Sequence, residues 1–513
     1  IAMIPSGVKA GKVYSVLPTP VYGEELVVNG DFATDSDWTK ETGWSISNGE
    51  ANANVSGTSA IFQTGIEINK KYKVTYTVSN YISGDIRIRV GTSSTPTVRS
   101  SNGTFTENLY ATGTNQVRIS PFTNGFIGSI DNVSVKEVLI NADFDFTRAS
   151  TATRVNSQGL LETVASNVPR LDYSNGDCPS LLLENQSTNL ITYSEDFGNA
   201  YWNKRGLTTA VLNLISPRND LSAYSLSIGK VNTADFYKIS ITSTNGTVYI
   251  PSFYIKNINL STDIVKITNG QSGSPFGSWD IDLSLIENKW ERITASHPSV
   301  TVLNSFVSNG TSIGLQFFTT ATDNTLTSFG FFGVQLEENS FSTSYIPTLT
   351  GTTQTRVAET CGGAGDASSI NSEEGVLYAE ISALSNDLTT RRITLSDGTS
   401  NDRIILQYQN SSNRFRCLLV VGGVTQFDTS LVSETITNFN KVAVKYKEND
   451  FALWINGVKV YSNLTGNTFA SSTLNKISFD GGTGSNPFYG NTKDLRVYNT
   501  ALTDSELQAL TTP

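Results

Sequence analysis

A single histidine limits the nucleophilic chemistry open to this chain of 513 residues. Hydrolysis by a Ser-His-acid or Cys-His arrangement needs an imidazole beside its nucleophile. His297 stands at the end of a predicted strand with no G-x-S-x-G elbow near it, so a catalytic imidazole is not expected. Zinc needs three or four His or Cys ligands within reach and is not expected either. The three cysteines, Cys178, Cys361 and Cys417, are widely spaced, form no C-x-x-C pair, and read as buried small hydrophobes. The Gly-rich GGAGDASS at 362–369 lacks the lysine that follows a phosphate-cradling loop, and reads as linker.

Glycoside cleavage needs only two converging carboxylates, roughly 5–10 Å apart. The closest acid clusters, Glu337-Glu338 and Glu373-Glu374, put neighbours on opposite faces of a strand and do not converge. Sugar binding without cleavage asks for less: a flat aromatic ring for the apolar face of a pyranose, with amides and carboxylates for its hydroxyls. Candidate rings are Tyr81, Tyr110, Trp279, Tyr408, Phe488 and Tyr489, the last in the Gly-rich loop FDGGTGSNPFYGN, where Asp480 would place a carboxylate at the same rim. Binding, not turnover, is the expectation, and no cofactor is required for it.

Composition narrows the partners. The formal net charge is −10 and the pI near 4.9, with no basic run, which argues against nucleic acid and anionic membranes. No apolar stretch approaches the roughly 20 residues that span a bilayer, and the N-terminus lacks the layout of a secretion signal, so a soluble protein without membrane insertion is expected. The start at Ile1 hints at residues lost before it. Charged residues make up only 16% while Ser, Thr, Asn and Gly abound, a balance that suits short strands and polar turns.

The elements that must hold these residues are strands. Alternating runs at 72–78, 85–90, 116–120 and 130–135 predict one antiparallel sandwich; runs at 249–257, 263–269, 291–297, 313–320 and 329–338 predict a second. A third follows from 375 onward, with Asn456-Gly457 as a type I′ hairpin turn. The tail TALTDSELQAL reads as one short helix, with Thr503 as N-cap and Glu506 completing a capping box. The expected fold class is therefore all-β: several antiparallel β-sandwich (jelly-roll) domains in tandem, an irregular N-terminal scaffold and one short C-terminal helix.

The first two sandwiches are framed alike. NGDFATDSDW opens one, with Asp31-Phe32 before Trp38, and FIGSIDNVSVKEV closes it; SEDFGNAYW opens the other, with Asp196-Phe197 before Trp202, and FGFFGVQLEEN closes it. Both modules resemble carbohydrate-binding modules of the jelly-roll type. That resemblance implies a possible structural calcium between first and last strands, with Asp31 and Asp131 as ligands in the first copy. In the second, Gln335 replaces the closing acid and leaves only Glu337. The third sandwich resembles the concanavalin A-like and laminin G-like lectin fold, on NKVAVKYKENDFALWINGVKV and GNTKDLRVYNTALTDSELQAL. Glycosidases that share this sandwich carry an E-x-D-x-E strand that this chain lacks.

IPSGVKAGKVYSVLPT and FTRASTATRVNSQGL together resemble the N-terminal part of tail or receptor-binding virion proteins from phages of Bacteroidetes hosts. The resemblance implies that 1–22 plus 139–190 form a virion-anchoring scaffold, with 23–138 as an inserted module. The second module then spans 191–350, a linker 351–374 and the lectin-like domain 375–513. It further implies a tail-associated or fibre adhesin on the phage particle surface. Its partners would be host cell-surface polysaccharide and other virion proteins, and a homo-oligomer, a trimer by analogy, would carry it. A decoration protein without sugar binding and a polysaccharide depolymerase are the alternatives.

Overall fold

The computed structural model describes residues 2–3, 8–9, 12–13, 22–68, 70–92, 96–123, 125–138, 143–230, 234–269, 277–319, 325–367, 369–429 and 432–513. Much of the expected anchor at 1–22 lies outside the described residues. The chain forms two compact units, one made of 18–142 and the other of 1–17 with 143–513. The first unit is therefore inserted, in sequence, into the second. Strands dominate throughout, and the described residues hold one α-helix, Asp504–Thr511. No helix among them is long and apolar enough to cross a membrane.

The inserted unit is a sandwich. One sheet runs Gly103–Tyr110, Lys71–Gly84, Phe126–Val138, Glu50–Val55, Trp44–Ser47, with Tyr22–Glu25 also on Phe126–Val138. The other runs Arg87–Val90, Gln116–Ser120, Ile61–Thr64, Thr39–Lys40. Alternation in KYKVTYTV buries Tyr72, Val74, Tyr76 and Val78 between the sheets, where they meet Ile88, Val117 and Ile119.

The repeated opening motif has a structural explanation. The Phe32 ring lies 5.1 Å from Trp38, whose indole N–H donates to the Asn29 carbonyl at 3.0 Å. In the second copy Phe197 lies 5.7 Å from Trp202, whose indole N–H donates to the Tyr193 carbonyl at 2.8 Å. Each opening is also tied to its closing strand: Val133 N–H donates to Gly30, and Val334 N–H to Ser194. Only glycine fits at position 30, since a Cβ there would stand 2.1 Å from the Val133 carbonyl oxygen.

The larger unit holds two sandwiches. In one, the sheet Asn203–Arg205, Asp235–Thr242, Ser312–Thr319, Ile264–Thr268, Ser278–Asp282, Val300–Asn304 faces the sheet Thr208–Leu214, Ala223–Gly229, Leu326–Glu337, Val248–Lys256, Glu291–Ile293. A cluster of rings, Phe197, Trp202, Phe236, Phe253, Phe317 and Phe331, fills the space between them.

The lectin-like sandwich begins earlier in the chain than the sequence suggested. Its first sheet runs Arg170–Asp172, Ser180–Leu183, Gly490–Tyr498, Glu374–Ala383, Asn440–Lys447, Phe451–Ile455, Val458–Asn463. Its second contains Phe144–Thr147 and Thr360–Ala364 beside Lys476–Ser478, Arg391–Ser396, Arg403–Tyr408, Arg414–Val421 and Val424–Asp428. The backbones of Ala2–Met3 and Lys12–Val13 pair onto these sheets. Two expected boundaries are thus corrected. Residues 139–190 are not a body apart from 375–513, and 351–374 is not a free linker, since it holds the strands Gln354–Arg356 and Thr360–Ala364. Gly362, one of the glycines that signalled a linker, serves close packing instead: a Cβ there would stand 2.8 Å from Ser478 Oγ.

Local signals hold where they were specific. Asn456 and Gly457 both take positive φ, as a type I′ turn requires. Thr503 and Glu506 form the capping box, and the helix sets Leu507 against Val376, Tyr378 and Trp454.

Candidate functional site

Two segments without periodicity, 148–190 and 335–360, converge on a buried ion network where the second sandwich meets the lectin-like one. Glu359 accepts from Arg148 Nη1 at 2.7 Å and from Arg170 Nε and Nη2 at 2.9 and 2.5 Å. Glu184 pairs with Arg170 at 2.7 Å and Arg356 at 2.8 Å. All five side chains are essentially without solvent contact. Burial would raise the Glu184 carboxyl, but Arg356 and Arg170 outweigh it and hold the group down at about 2. Burial also works against the Arg170 charge, yet its two carboxylates push its pKa up; on Arg148 and Arg356 burial prevails and lowers it.

Glu337, the one acid suggested for a metal in the second module, belongs to this junction. It is fully buried and accepts from Ser187 Oγ at 2.6 Å and Thr343 N–H at 3.0 Å. Gln335 bridges to the same segment, accepting from Ile346 N–H at 2.6 Å. An amide at 335 satisfies both a donor and an acceptor there, which a carboxylate would not.

Above this network lies a cleft of about 1320 Å³, with Thr153, Glu184, Thr343 and Ser344 of the junction in its wall. The second sandwich contributes Trp290 and Arg292, the connecting segment Tyr173 and Asn175, and the lectin-like sandwich Asn386 and Phe439. Trp290 is half-buried and fixed by its indole N–H, which donates to the Ile215 carbonyl at 2.8 Å. Tyr173, Phe341 and Phe439 are half-buried too, so several ring edges and faces reach the cavity. Arg292 is braced by Ser252 Oγ and the Thr343 carbonyl and stacks on Tyr254. Rings with amides between them suit pyranose recognition.

The two acids of the cleft do not suit glycoside cleavage. Asp172 accepts from Val155 N–H at 2.9 Å and Ser174 N–H at 3.0 Å, and also holds the Ser174 hydroxyl. Glu184 is held well below the usual carboxylate range, the reverse of what a general acid needs. His297 does contact a serine and an acid. Its Nδ1 lies 2.8 Å from Ser299 Oγ and its Nε2 3.1 Å from Glu291. Ser299 is buried, however, and its own N–H donates to Nδ1, so the set closes the turn before Val300–Asn304.

The ring candidates read from the sequence do not gather in this cleft. Trp279, Tyr408 and Phe488 are each 1% exposed and belong to the cores, which removes them as platforms. Trp279 packs against Phe306, while Tyr408 donates its hydroxyl to the Ile381 carbonyl and lies beside Phe488. Tyr489 is half-buried against the same core, and Asp480 accepts from Gly482 N–H at 2.6 Å as a turn cap. Tyr81 packs on Phe126 and anchors its own loop through Gly84. Tyr110 alone stands free, 52% exposed on an edge strand.

The first-module acids act locally. Asp31 accepts from Ala33 N–H, and both oxygens of Asp131 are taken by Asn132. No group of three or more His, Cys, Asp or Glu able to hold a metal occurs among the described residues. Cys361 and Cys417 are buried as expected, but Cys178 is exposed, because its turn lies outside the sheets. Trp290 and the junction arginines were missed. The available signal was an aromatic closing a polar turn, and arginines and glutamates recurring in segments without strand alternation.

Comparison with known proteins agrees with the last sandwich. Residues 377–508 match the concanavalin A-like lectin/glucanases superfamily in its laminin G-like family. The chain therefore carries a concanavalin A-like lectin domain within an all-β, multidomain architecture. Among solved structures it is similar to the CBM40 of the Ruminococcus gnavus IT-sialidase, at 20% identity over 28% of this chain and 84% of that one, with a TM-score of 0.25. It is also similar to the CBM22-1-CBM22-2 tandem of Paenibacillus barcinonensis Xyn10C, at 9% identity over 62% and 98%, TM-score 0.21. A chain of Sulfolobus turreted icosahedral virus matches at 11% identity over 91% and 92%, TM-score 0.15. TM-scores this low carry no argument about architecture or ligand. No curated protein matches the chain.

Proposed function

We propose that the chain is a non-enzymatic glycan-binding protein of a phage particle, tail-associated or part of a fibre, which grips host-surface polysaccharide. The observation that carries the sugar reading is the cleft in which Trp290, Tyr173 and Phe439, from three parts of the chain, meet the amides of Asn175, Asn386 and Asn438. The virion reading rests on IPSGVKAGKVYSVLPT and FTRASTATRVNSQGL, the segments shared in type with phage virion proteins. Single sugar sites of this kind are weak, and a homo-oligomer, a trimer by analogy, would raise their effective concentration. Other virion proteins would hold the assembly on the particle.

A glycan array with the purified chain tests the first part. Binding is expected, and Trp290→Ala should weaken it at least about tenfold, since loss of a stacking ring removes a kilocalorie or more. An array without hits would favour a decoration role, and new reducing ends released from host polysaccharide would favour a depolymerase. Immunogold microscopy of the particle locates the protein.

The binding proposed requires no cofactor. Adding calcium or EDTA is expected to shift the melting midpoint of the chain by less than about 1 °C, because Asp31 and Asp131 already accept hydrogen bonds from Ala33 and Asn132, and a chain that binds no ion gains nothing by mass action. A rise of several degrees with calcium, lost in Asp31→Asn or Asp131→Asn, would establish the ion that the resemblance implied.

A further inference from the structure

The inserted unit carries a second kind of surface. Its four-stranded sheet turns Ile88, Val90, Val117, Ile119 and Ile61 inward, so the alternate residues Arg87, Arg89, Arg118 and Phe62 share the opposite face. The register sets Arg89 directly across from Arg118, and Arg118 across from Phe62. Arg87 follows two residues along the same face and stacks on the exposed Phe122 ring at 4.5 Å, while Arg118 lies 5.4 Å from the Phe62 ring.

Like charges opposed across an antiparallel pair destabilise a sheet, so this arrangement conflicts with folding. Nearby acids relieve only part of it. Glu41 pairs with Arg118 at 2.9 Å, and Asp85, near Arg87, is taken up by Phe122 N–H, Thr123 N–H and the Thr123 hydroxyl. Arg87 and Arg89 have no ion pair among the described residues, and their buried Nε atoms have no hydrogen-bond partner. Arg89 reaches only Ser120 Oγ, at 3.5 Å. Burial, then the charges of Arg87 and Arg118, lower its pKa.

We infer that this face binds an acidic polysaccharide, with Arg87, Arg89 and Arg118 taking carboxylate or sulfate groups while Phe62 and Phe122 lie against the sugar rings. Adjacent strands stand about 4.8 Å apart, so neighbouring guanidiniums can meet charges on neighbouring sugars. Guanidinium forks suit such planar or tetrahedral anions in pairs of hydrogen bonds. A linear acidic glycan is favoured over duplex nucleic acid because three guanidiniums beside the Phe62 and Phe122 rings match charges carried on sugar rings, which the stacked, enclosed bases of a duplex do not offer. The inference takes only its ligand class from the glycan-binding reading; the site is separate from the cleft.

The test uses the full chain with polygalacturonate, dextran sulfate, neutral dextran and duplex DNA at physiological salt. Polygalacturonate or dextran sulfate should bind, and whichever binds identifies the anion. Binding should fall at least about tenfold in Arg87→Gln/Arg89→Gln, survive largely in Arg89→Lys, and weaken with rising salt. Thr64→Glu, at an exposed position of the same face, should weaken binding while leaving every arginine in place. Because Arg89 has no ion pair to lose, the double variant should melt no lower than the parent. Trp290→Ala should bind these acidic polymers undiminished, which separates this site from the cleft. Failure of both acidic polymers, equal binding by Arg87→Gln/Arg89→Gln, equal binding of DNA, or a lower melting midpoint with binding intact would each overturn the inference.

Discussion

Glu359→Gln is expected to destabilise the larger unit by about 3–5 kcal/mol, the usual cost of removing one partner from a fully buried ion pair. The carboxylate accepts three hydrogen bonds from Arg148 and Arg170 and a fourth from Glu184 N–H at 2.8 Å. Its amide replacement keeps the volume but leaves Arg148 with no carboxylate and Arg170 with one. Neither guanidinium reaches solvent, so water cannot screen the change. Against a total stability of about 5–15 kcal/mol this is a large fraction. Denaturant titration should show the loss in the transition of the larger unit, while that of 18–142 stays in place. A loss under about 1 kcal/mol would mean that the network positions the segments without stabilising them.

The second large effect is one of pH. The Glu184 carboxyl is held at about 2 in the folded chain against an ordinary value of 4.5. A depressed carboxyl stabilises the fold above its unfolded value and loses that contribution as pH falls toward the folded one. The stabilisation, on the order of 3 kcal/mol, is therefore complete above about pH 5 and lost progressively down to about pH 2. The arginines stay charged across that window, so protonation would leave Arg356 and Arg170 facing a neutral acid. Unfolding midpoints of the parent and Glu184→Gln should be far apart at pH 6 and converge near pH 2. Parallel curves over that interval would remove Glu184 as the titrating group.

What the sequence made legible was local. Strand alternation at Tyr72 to Val78, the Asn456-Gly457 turn, the Thr503 cap and the paired openings at Phe32/Trp38 and Phe197/Trp202 each depend on residues a few positions apart. The junction was illegible for the opposite reason. Arg148 meets Glu359 across 211 positions, and neither segment alternates, because contacts on all sides leave no wetted face to mark a period. Trp279, Tyr408 and Phe488 misled in the same way. Each stands beside polar residues in the sequence, yet Trp279 faces the core against Phe306, Tyr408 lies in a strand buried on both faces, and the loop of Phe488 folds back on Phe479. Trp290 went unnoticed because a ring that closes a turn looks the same whether it packs inward or lines a cavity.

The strands Phe144–Thr147, Arg170–Asp172 and Ser180–Leu183 have a bearing on how such chains can be rearranged. Ser180–Leu183 pairs with Gly490–Tyr498, and Phe144–Thr147 pairs with Thr360–Ala364, which in turn pairs with Lys476–Ser478, so the stretch 377–508, excised alone, would bare two rows of unsatisfied main-chain groups and the core that Phe144, Phe146, Leu181 and Leu183 cover. Recombination that exchanged only that stretch would yield a sticky fragment. Exchange that carried 143–190 and 351–376 along would transplant a closed body with its buried ion pairs intact, which sets the smallest heritable cassette well upstream of the recognisable lectin sequence.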